Sequence, residues 1–337
     1  MMLIDLRSDT VTKPTPEMKE YMFSADVGDD VFGEDKTVIQ LEEKIAGMFG
    51  LNAALFCPSG TMTNQIALRI NTEPQDEVIC DRTSHIYNYE GGGAAYNSMV
   101  SLRLLNGERG RFTAVDVEEN INPDDIHFPK TSLVALENTV NKGGGCYYKL
   151  GTIKAISAAA KSNNLKMHLD GARIFNALVE TRESPKDYGK CFDTISVCFS
   201  KGLGAPVGSA ILGTHESIKK ARRVRKVLGG AMRQSGYLAA AAIYALDNNI
   251  DRLKSDHKRA KSLATIFETK NYVTDILSVE TNIVILSIDP SYGSTRLLDE
   301  LQSNGILAVP FGKNTIRFVT HLDITDDMIN EIEIVLK

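Results

Sequence analysis

Tryptophan is absent, and no apolar run approaches the roughly 20 residues that a membrane-spanning helix needs. The opening MMLIDLRSDT meets Asp5 too early to form the apolar region of a signal peptide, so the chain is expected to stay in the cytoplasm. Cysteine is scarce, odd in number and without a CxxC: Cys57, Cys80, Cys146, Cys191 and Cys198 are scattered. That excludes a disulfide framework and suits reduced thiols. The six histidines show no zinc-binding spacing, so no metal is expected. Positive charge is not in excess, with 38 Lys+Arg against 43 Asp+Glu and a net charge of -5. Neither nucleic acid nor an acidic membrane is therefore an expected partner. There is no GxxxxGK[ST] loop, and no GxGxxG follows a strand, which disfavours a nucleotide site. Internal repeats, low-complexity tracts and obvious linkers are missing too.

What is present is the composition of an ordinary globular protein, 43% apolar and 24% charged. A length of 337 residues suggests about two domains, with core enough that neither metal nor disulfide is needed for folding. From Thr37 to Leu212 helical and strand-like segments alternate: TVIQLEEKIAGMFG, AALFC, TMTNQIALRIN, DEVICD, TSLVALENT, TIKAISAAAKSNN, LKMHLDG, DTISVCFSKG, VGSAILGT. Such alternation predicts an α/β domain built on a mostly parallel sheet. After Ile250 the order changes to helix, two adjacent strands, helix, two strands and a closing helix, which predicts a smaller α+β domain. The expected division is an N-terminal arm over 1–15, a large domain over 16–249 and a small one over 250–337. A cleft between two domains is a usual place for a ligand.

The stretch KMHLDGARIFNA ends a short apolar run on Asp170, turns at a glycine, and opens a helix near Arg173. An acid at the end of a buried strand is costly unless paired, and the partner could be Arg173 or a ligand. Lys201 follows the next strand-like run, TISVCFS, after a crossover long enough to join neighbouring parallel strands. A carboxylate and an amine thus stand side by side at the carboxyl edge of the sheet, where ligands bind in open α/β folds. Either alone would suit a buried ion pair. Beside them CPSGTMTNQ turns from strand to helix, and its free N–H groups, with the Ser59 and Thr61 hydroxyls, form an anion site. Phosphate cradle, acid and lysine together fit pyridoxal phosphate, whose aldehyde takes a lysine amine and whose ring nitrogen takes an acid.

Eight segments carry a wider likeness: LRSDTVTKPT, GDDVFGED, PSGTMTNQ, DRTSHIYNYEGGGAA, LENT, HLDGARIFNA, SVCFSKGLGAPVGS and GGAMRQSGY. In this order they resemble the low-specificity L-threonine aldolases, fold type I pyridoxal-phosphate enzymes, along nearly the whole chain. The resemblance implies Lys201 as the lysine that holds the cofactor aldehyde and Asp170 as the partner of the ring nitrogen. It implies Gly60 and Thr61, with Ser59, at the phosphate, and His85 stacked on the ring. Ser8, Arg173 and Arg317 match the positions that hold the substrate carboxylate, and His127, in DDIHFP, matches a second active-site histidine. Arg233, in GGAMRQ, is expected to reach a neighbouring subunit's phosphate, since the family builds its sites between subunits of a homotetramer, a dimer of dimers.

The residues themselves agree to different degrees. Arg317 alternates with Ile316 and Phe318 in TIRFVT, as an exposed strand arginine would too. A capping role would equally suit His85, although Gly91 to Gly93 beside it favour close backbone approach. The run KKARRVRK, Lys219 to Lys226, reads as the solvated face of a helix. One departure stands out: Val140 follows Glu137, Asn138 and Thr139 where many relatives have histidine. The implied activity is aldol cleavage of L-threonine, L-allo-threonine and other β-hydroxy amino acids to glycine and an aldehyde. The alternative is another lyase, a racemase or an aminotransferase using the same cofactor.

Overall fold

A computed structural model describes residues 3–336. Residues 1, 2 and 337, at the outer ends of the expected arm and small domain, lie outside them. In chain order the elements are β1 (Ile4–Asp5), α1 (Pro16–Phe23), α2 (Lys36–Phe49), β2 (Ala53–Cys57), α3 (Gly60–Asn71), β3 (Glu77–Asp81), α4 (His85–Asn88), β4 (Ser101–Leu105), α5 (Ala114–Glu118), β5 (Thr131–Glu137), α6 (Leu150–Ser162), β6 (Lys166–Gly171), α7 (Ile174–Thr181), α8 (Pro185–Gly189), β7 (Thr194–Cys198), β8 (Ser209–Gly213), α9 (His215–Val227) and α10 (Gly236–Asn248). There follow α11 (Leu253–Glu268), β9 (Val273–Ile276), β10 (Ile283–Ile288), α12 (Ser294–Ser303), β11 (Ile306–Leu307), β12 (Val309–Gly312), β13 (Thr315–Val319) and α13 (Asp326–Val335).

The elements form where the sequence places their signals. In α2, Asp35 caps the first turn by accepting from the Val38 N–H, and Val38, Leu41, Ile45 and Phe49 form one buried stripe. Gly50 then closes the helix in the left-handed region, φ 66°. The strands β3 and β7 are buried along their whole length, as the inner strands of a sheet covered on both faces must be.

Seven strands make the central sheet in the order β2-β8-β7-β6-β5-β3-β4. All run parallel except β8, which is antiparallel to both β2 and β7. Register sets the site: Glu137 pairs with Asp170 across β5 and β6, and Asp170 with Ser196 across β6 and β7. Three strands therefore end together, at Glu137, Gly171 and Cys198.

A second sheet, antiparallel in the order β12-β13-β10-β9, lies in the C-terminal part. Its core includes Ala260, Phe267, Leu286, Ile316 and Ile332, and also Ile4 and Leu6 from the other end of the chain. The N-terminal segment joins that core because β1 pairs in parallel with β11, and the Leu6 carbonyl accepts from the Val319 N–H at 2.8 Å. Burying two aliphatic side chains this way stabilises the attachment by about 3–6 kcal/mol, and it brings Ser8 and Asp9 over the ends of the large sheet. None of the five cysteines is bridged. The run KKARRVRK lies mostly exposed on α9, as expected, but Arg225 is buried and paired with Asp30 at 2.6 Å.

Candidate active site

The ends of β5, β6 and β7 and the start of α3 enclose one cavity, lined among others by Gly60, Asn64, His85, Asp170, Arg173 and Lys201. Asp170 is nearly fully buried, and each of its oxygens already accepts one hydrogen bond: Oδ2 from Asn64 Nδ2 at 2.8 Å and Oδ1 from the Ala172 N–H at 3.1 Å. Lys201 Nζ lies 3.6 Å from Cys198 Sγ at the neighbouring strand end. Arg173 is not the partner of Asp170, one of the two possibilities left open by the sequence.

At the other end of the cavity α3 begins at Gly60, one residue before the expected start. The Ser59 side chain accepts from the Met62 N–H, leaving the N–H groups of the first turn and the Thr61 hydroxyl at the cavity wall. Gly60 permits this approach. A Cβ there would stand 2.6 Å from Cys198 Sγ.

His85 opens the short helix α4, its backbone N–H donating to Glu137 Oε2 at 2.7 Å. Its Nδ1 is 2.9 Å from Glu90 Oε1, and since a carboxylate only accepts, Nδ1 carries the proton and Nε2 is left towards the cavity. Burial works to lower the His85 pKa, but the Glu90 hydrogen bond and then the charges of Asp170, Glu90 and Glu137 outweigh it, so the net direction is up. Glu137 also accepts from the Asn141 N–H at 2.8 Å. Burial first, then the charge of Asp170, pushes its carboxyl up to about 7. Gly93 is needed nearby, because a Cβ would meet the Gln65 amide at 2.6 Å.

An adjoining cavity shares His85, Arg173 and Lys201 and is lined further by Ser8, Tyr89 and Arg317. Here Asp9 takes Arg173 in a fork, with Nε to Oδ2 at 2.7 Å and Nη2 to Oδ1 at 2.6 Å. Burial opposes the charge on Asp9, yet Arg173, followed by Lys201 and Arg317, holds its pKa down at about 2. Arg317 donates to Asn141 Oδ1 at 2.9 Å and to the Arg7 carbonyl at 3.0 Å, stacks over Phe311, and keeps a buried Nε with no protein acceptor. Burial, then the like charge of Arg173, pushes its pKa down to about 10.

Residues 5–290 match the family described as beta-eliminating lyases. This chain belongs to that family. The lyase is 42% identical to low-specificity L-threonine aldolase 1 of Arabidopsis thaliana over 333 residues, covering 96% of this chain and 93% of the relative. It is 39% identical to the low specificity L-threonine aldolase of Escherichia coli K12, covering 98% and 97%. In fold it is similar to a threonine aldolase of Leishmania major, with a TM-score of 0.85, 21% identity, and 99% and 98% of the two chains covered. The architecture is that of the fold type I enzymes expected from the sequence.

Of the residues singled out in the sequence, Ser59, Gly60, Thr61, His85, Asp170, Arg173 and Lys201 line the first cavity of the lyase, and Ser8 and Arg317 the second. Two lie elsewhere. His127 is mostly exposed, 80%, on a loop where its Nδ1 meets Asp125 at 2.7 Å, so it does not reach the cavity of its own chain. Arg233 is half exposed and paired with Asp29 at 2.9 Å. Three acids escaped the sequence reading: Asp9, Glu90 and Glu137. Each sits inside a quoted segment, but Asp9 and Glu137 depend on partners far along the chain, Arg173 at 164 residues and His85 at 52, while Glu90 meets His85 only five residues away through a turn.

Proposed function

We propose that this lyase cleaves L-threonine and L-allo-threonine, and larger β-hydroxy-α-amino acids, to glycine and an aldehyde, with pyridoxal phosphate as cofactor. The observation that carries the reading is that Asp170 and Lys201, at and just beyond the ends of adjacent strands, line one cavity that is closed by the start of α3. Relatives about 40% identical over nearly the whole chain bear the name L-threonine aldolase. The residues present fit the cofactor. The helix start offers N–H groups to a phosphate, and the buried Thr139 hydroxyl on the same wall has no protein partner. Lys201 would hold the aldehyde carbon, Asp170 the ring nitrogen, and His85 one face of the ring. Bound there, the cofactor supplies a sink for the electron pair released at the substrate Cα.

The chain's own residues would do the rest. Arg317 and the free edge of Arg173, with Ser8, hold the substrate carboxylate, which decides which bond at Cα stands perpendicular to the ring plane. For threonine that bond is Cα–Cβ. In the neutral ring His85 Nε2 is the acceptor, since Nδ1–H is committed to Glu90, and it would take the β-hydroxyl proton directly or through a water, the raised pKa making it the stronger base. Burial of the cavity limits competing water.

Exposed His127, with Ile126 99% and Phe128 49% exposed beside it, and the exposed Arg233 favour a second role for those two residues, completing the site of a neighbouring subunit. A cytoplasmic homotetramer with sites between subunits accords with this. The division into 1–15, 16–249 and 250–337 is supported by the two largest apolar cores, the arm being fastened to the second, with Leu253 alone of the last segment's described residues buried in the first. Among the described residues no helix is long and apolar enough to cross a membrane.

The test is incubation with L-threonine and L-allo-threonine, with and without added pyridoxal phosphate, followed by assay of aldehyde and glycine. Borohydride should fix the cofactor on Lys201, located by mass spectrometry, and Lys201→Ala should abolish both colour and turnover. Pyruvate, a D-amino acid or a keto acid in place of glycine and aldehyde would overturn the reading in favour of a sister reaction.

A further inference from the structure

We infer that His168 and Asn64 form a positioning relay that fixes the Asp170 carboxylate against the cofactor ring. The inference rests on the functional reading above and deepens it. Asn64 Nδ2 lies 2.8 Å from Asp170 Oδ2 and 2.8 Å from Glu90 Oε1. Two carboxylate oxygens can be met only by donors, so the amide nitrogen faces the acids and Asn64 Oδ1 faces away. That oxygen is 3.2 Å from His168 Nε2. An amide oxygen only accepts, so Nε2 must carry the ring proton. His168 is fully buried at the middle of β6, and burial pushes its pKa down to about 4, so the ring is neutral and Nδ1 has no proton. Nδ1 then accepts from Thr194 Oγ1 at 3.0 Å, and Thr194 Oγ1 in turn accepts from Asn71 Nδ2 at 2.9 Å.

With Nε2–H set by the Asn64 oxygen, the chain runs one way, from Asn71 to Thr194, to His168, to Asn64, and finally to Asp170 and Glu90 together, although the Thr194 carbonyl also lies 3.2 Å from Nδ1. The last step matters chemically. Glu90 and Asp170 offer oxygens within 4.8 Å of each other, where like charges repel. One amide bridging both holds them in a fixed geometry. The Asn64 donor on Oδ2 and the Ala172 N–H on Oδ1 fix the plane of the Asp170 carboxylate, which would set how it meets the protonated ring nitrogen. Packing alone does not account for the arrangement: an apolar residue at 168 would fill the space between β6 and α3 without a polar atom to satisfy.

The direction of the relay gives it a sharp test. His168→Phe removes the donor to Asn64, whereas His168→Gln places an N–H2 near the position of Nε2 and should rescue. Thr194→Val is milder and keeps the fold if the phenylalanine does not. It removes the hydroxyl that favours the Nε2–H tautomer and leaves the Thr194 main-chain carbonyl, 3.2 Å from Nδ1, to attract the proton instead. The enzyme loaded with ring-15N pyridoxal phosphate is read by the 15N chemical shift of the bound cofactor, with its dissociation constant by fluorescence titration and kcat and KM for threonine. The wild type should show a protonated ring nitrogen. In His168→Phe and Thr194→Val the resonance should move towards the unprotonated position, and kcat should fall roughly ten- to a hundredfold with KM little changed. His168→Gln should return both towards wild type. A folded His168→Phe or Thr194→Val protein with wild-type 15N shift and kcat would overturn the relay, and so would a glutamine variant no better than phenylalanine. A wild type that binds no cofactor would instead sink the functional reading itself.

Discussion

Replacing Asp9 with asparagine leaves the shape of the side chain and removes its charge from a buried pair. Asp9 is fully buried and Arg173 nearly so, and two bonds of 2.7 and 2.6 Å join them. In the variant an amide N–H2 must face guanidinium N–H groups, and the Arg173 charge stays buried with no counter-ion. Breaking a buried pair from one side costs about 3–5 kcal/mol, a large part of a total stability of about 5–15 kcal/mol. A second route gives a smaller figure. The Asp9 carboxyl moves from an ordinary 3.8 to about 2 in the folded state, which is about 2 kcal/mol of stability at neutral pH. The mutational figure is the larger because it includes the donor facing a donor. The sign follows from the depressed value: this stability is full above about pH 4 and is lost as pH falls towards 2. Urea unfolding of wild type and Asp9→Asn should therefore differ by about 3–5 kcal/mol at pH 7, and the gap should narrow by about 2 kcal/mol as the acid titrates. KM for threonine should rise, because Arg173 loses the fork that aims it. Equal unfolding midpoints at pH 7, or a gap indifferent to pH, would refute the argument.

Three further outcomes are expected. Gly60→Ala should weaken cofactor affinity and cost about 1–3 kcal/mol of stability, since the new methyl meets Cys198 Sγ at 2.6 Å; adding Cys198→Ala should restore much of both. Arg317→Ala should raise KM for threonine roughly ten- to a hundredfold with a smaller effect on kcat, as loss of a charge-assisted hydrogen bond implies, and Arg317→Lys should recover only part because the fork is gone. Glu137 titrates at about 7 when folded against an ordinary 4.5, so the folded state holds a proton that the unfolded chain has shed. Stability should then fall by about 3 kcal/mol as pH rises through that window, and urea midpoints of Glu137→Gln should lack this fall, with a constant offset for the one backbone hydrogen bond that an amide cannot keep.

What could be read from the chain divides along physical lines. Period and punctuation placed the alternating helices and strands, because α2 carries its stripe and glycine stop within 15 residues. Asp170 and Lys201 were legible for a similar reason: one lies at the end of a strand and the other just beyond the end of the next, and the crossover between them makes those strands neighbours. The fork between Asp9 and Arg173 was not, since nothing local marks Asp9 as anything but part of a turn. It became visible only once β1 had paired with β11 and carried residue 9 across the sheet ends. Arg225, read as solvated with the rest of its run, turned inward because Asp30 is there to receive it.

The same partnering decides which cation is left for a ligand. Asp9 engages one edge of Arg173, Lys201 lines the inner cavity with Cys198 Sγ as its neighbour, and His85 is anchored by Glu90. Of the two arginines, Arg317 meets only neutral oxygens, from Asn141 and the Arg7 backbone. Desolvation and the push of Arg173 make its charge expensive there, and a carboxylate entering between the two guanidiniums would relieve both terms at once. That gain should appear in the protein alone: binding of a small amino acid should raise the pKa of Arg317 and the unfolding midpoint together. The corresponding amine without a carboxylate should leave both where they were, and a midpoint raised equally by acid and amine would show that the two arginines do not select the carboxylate.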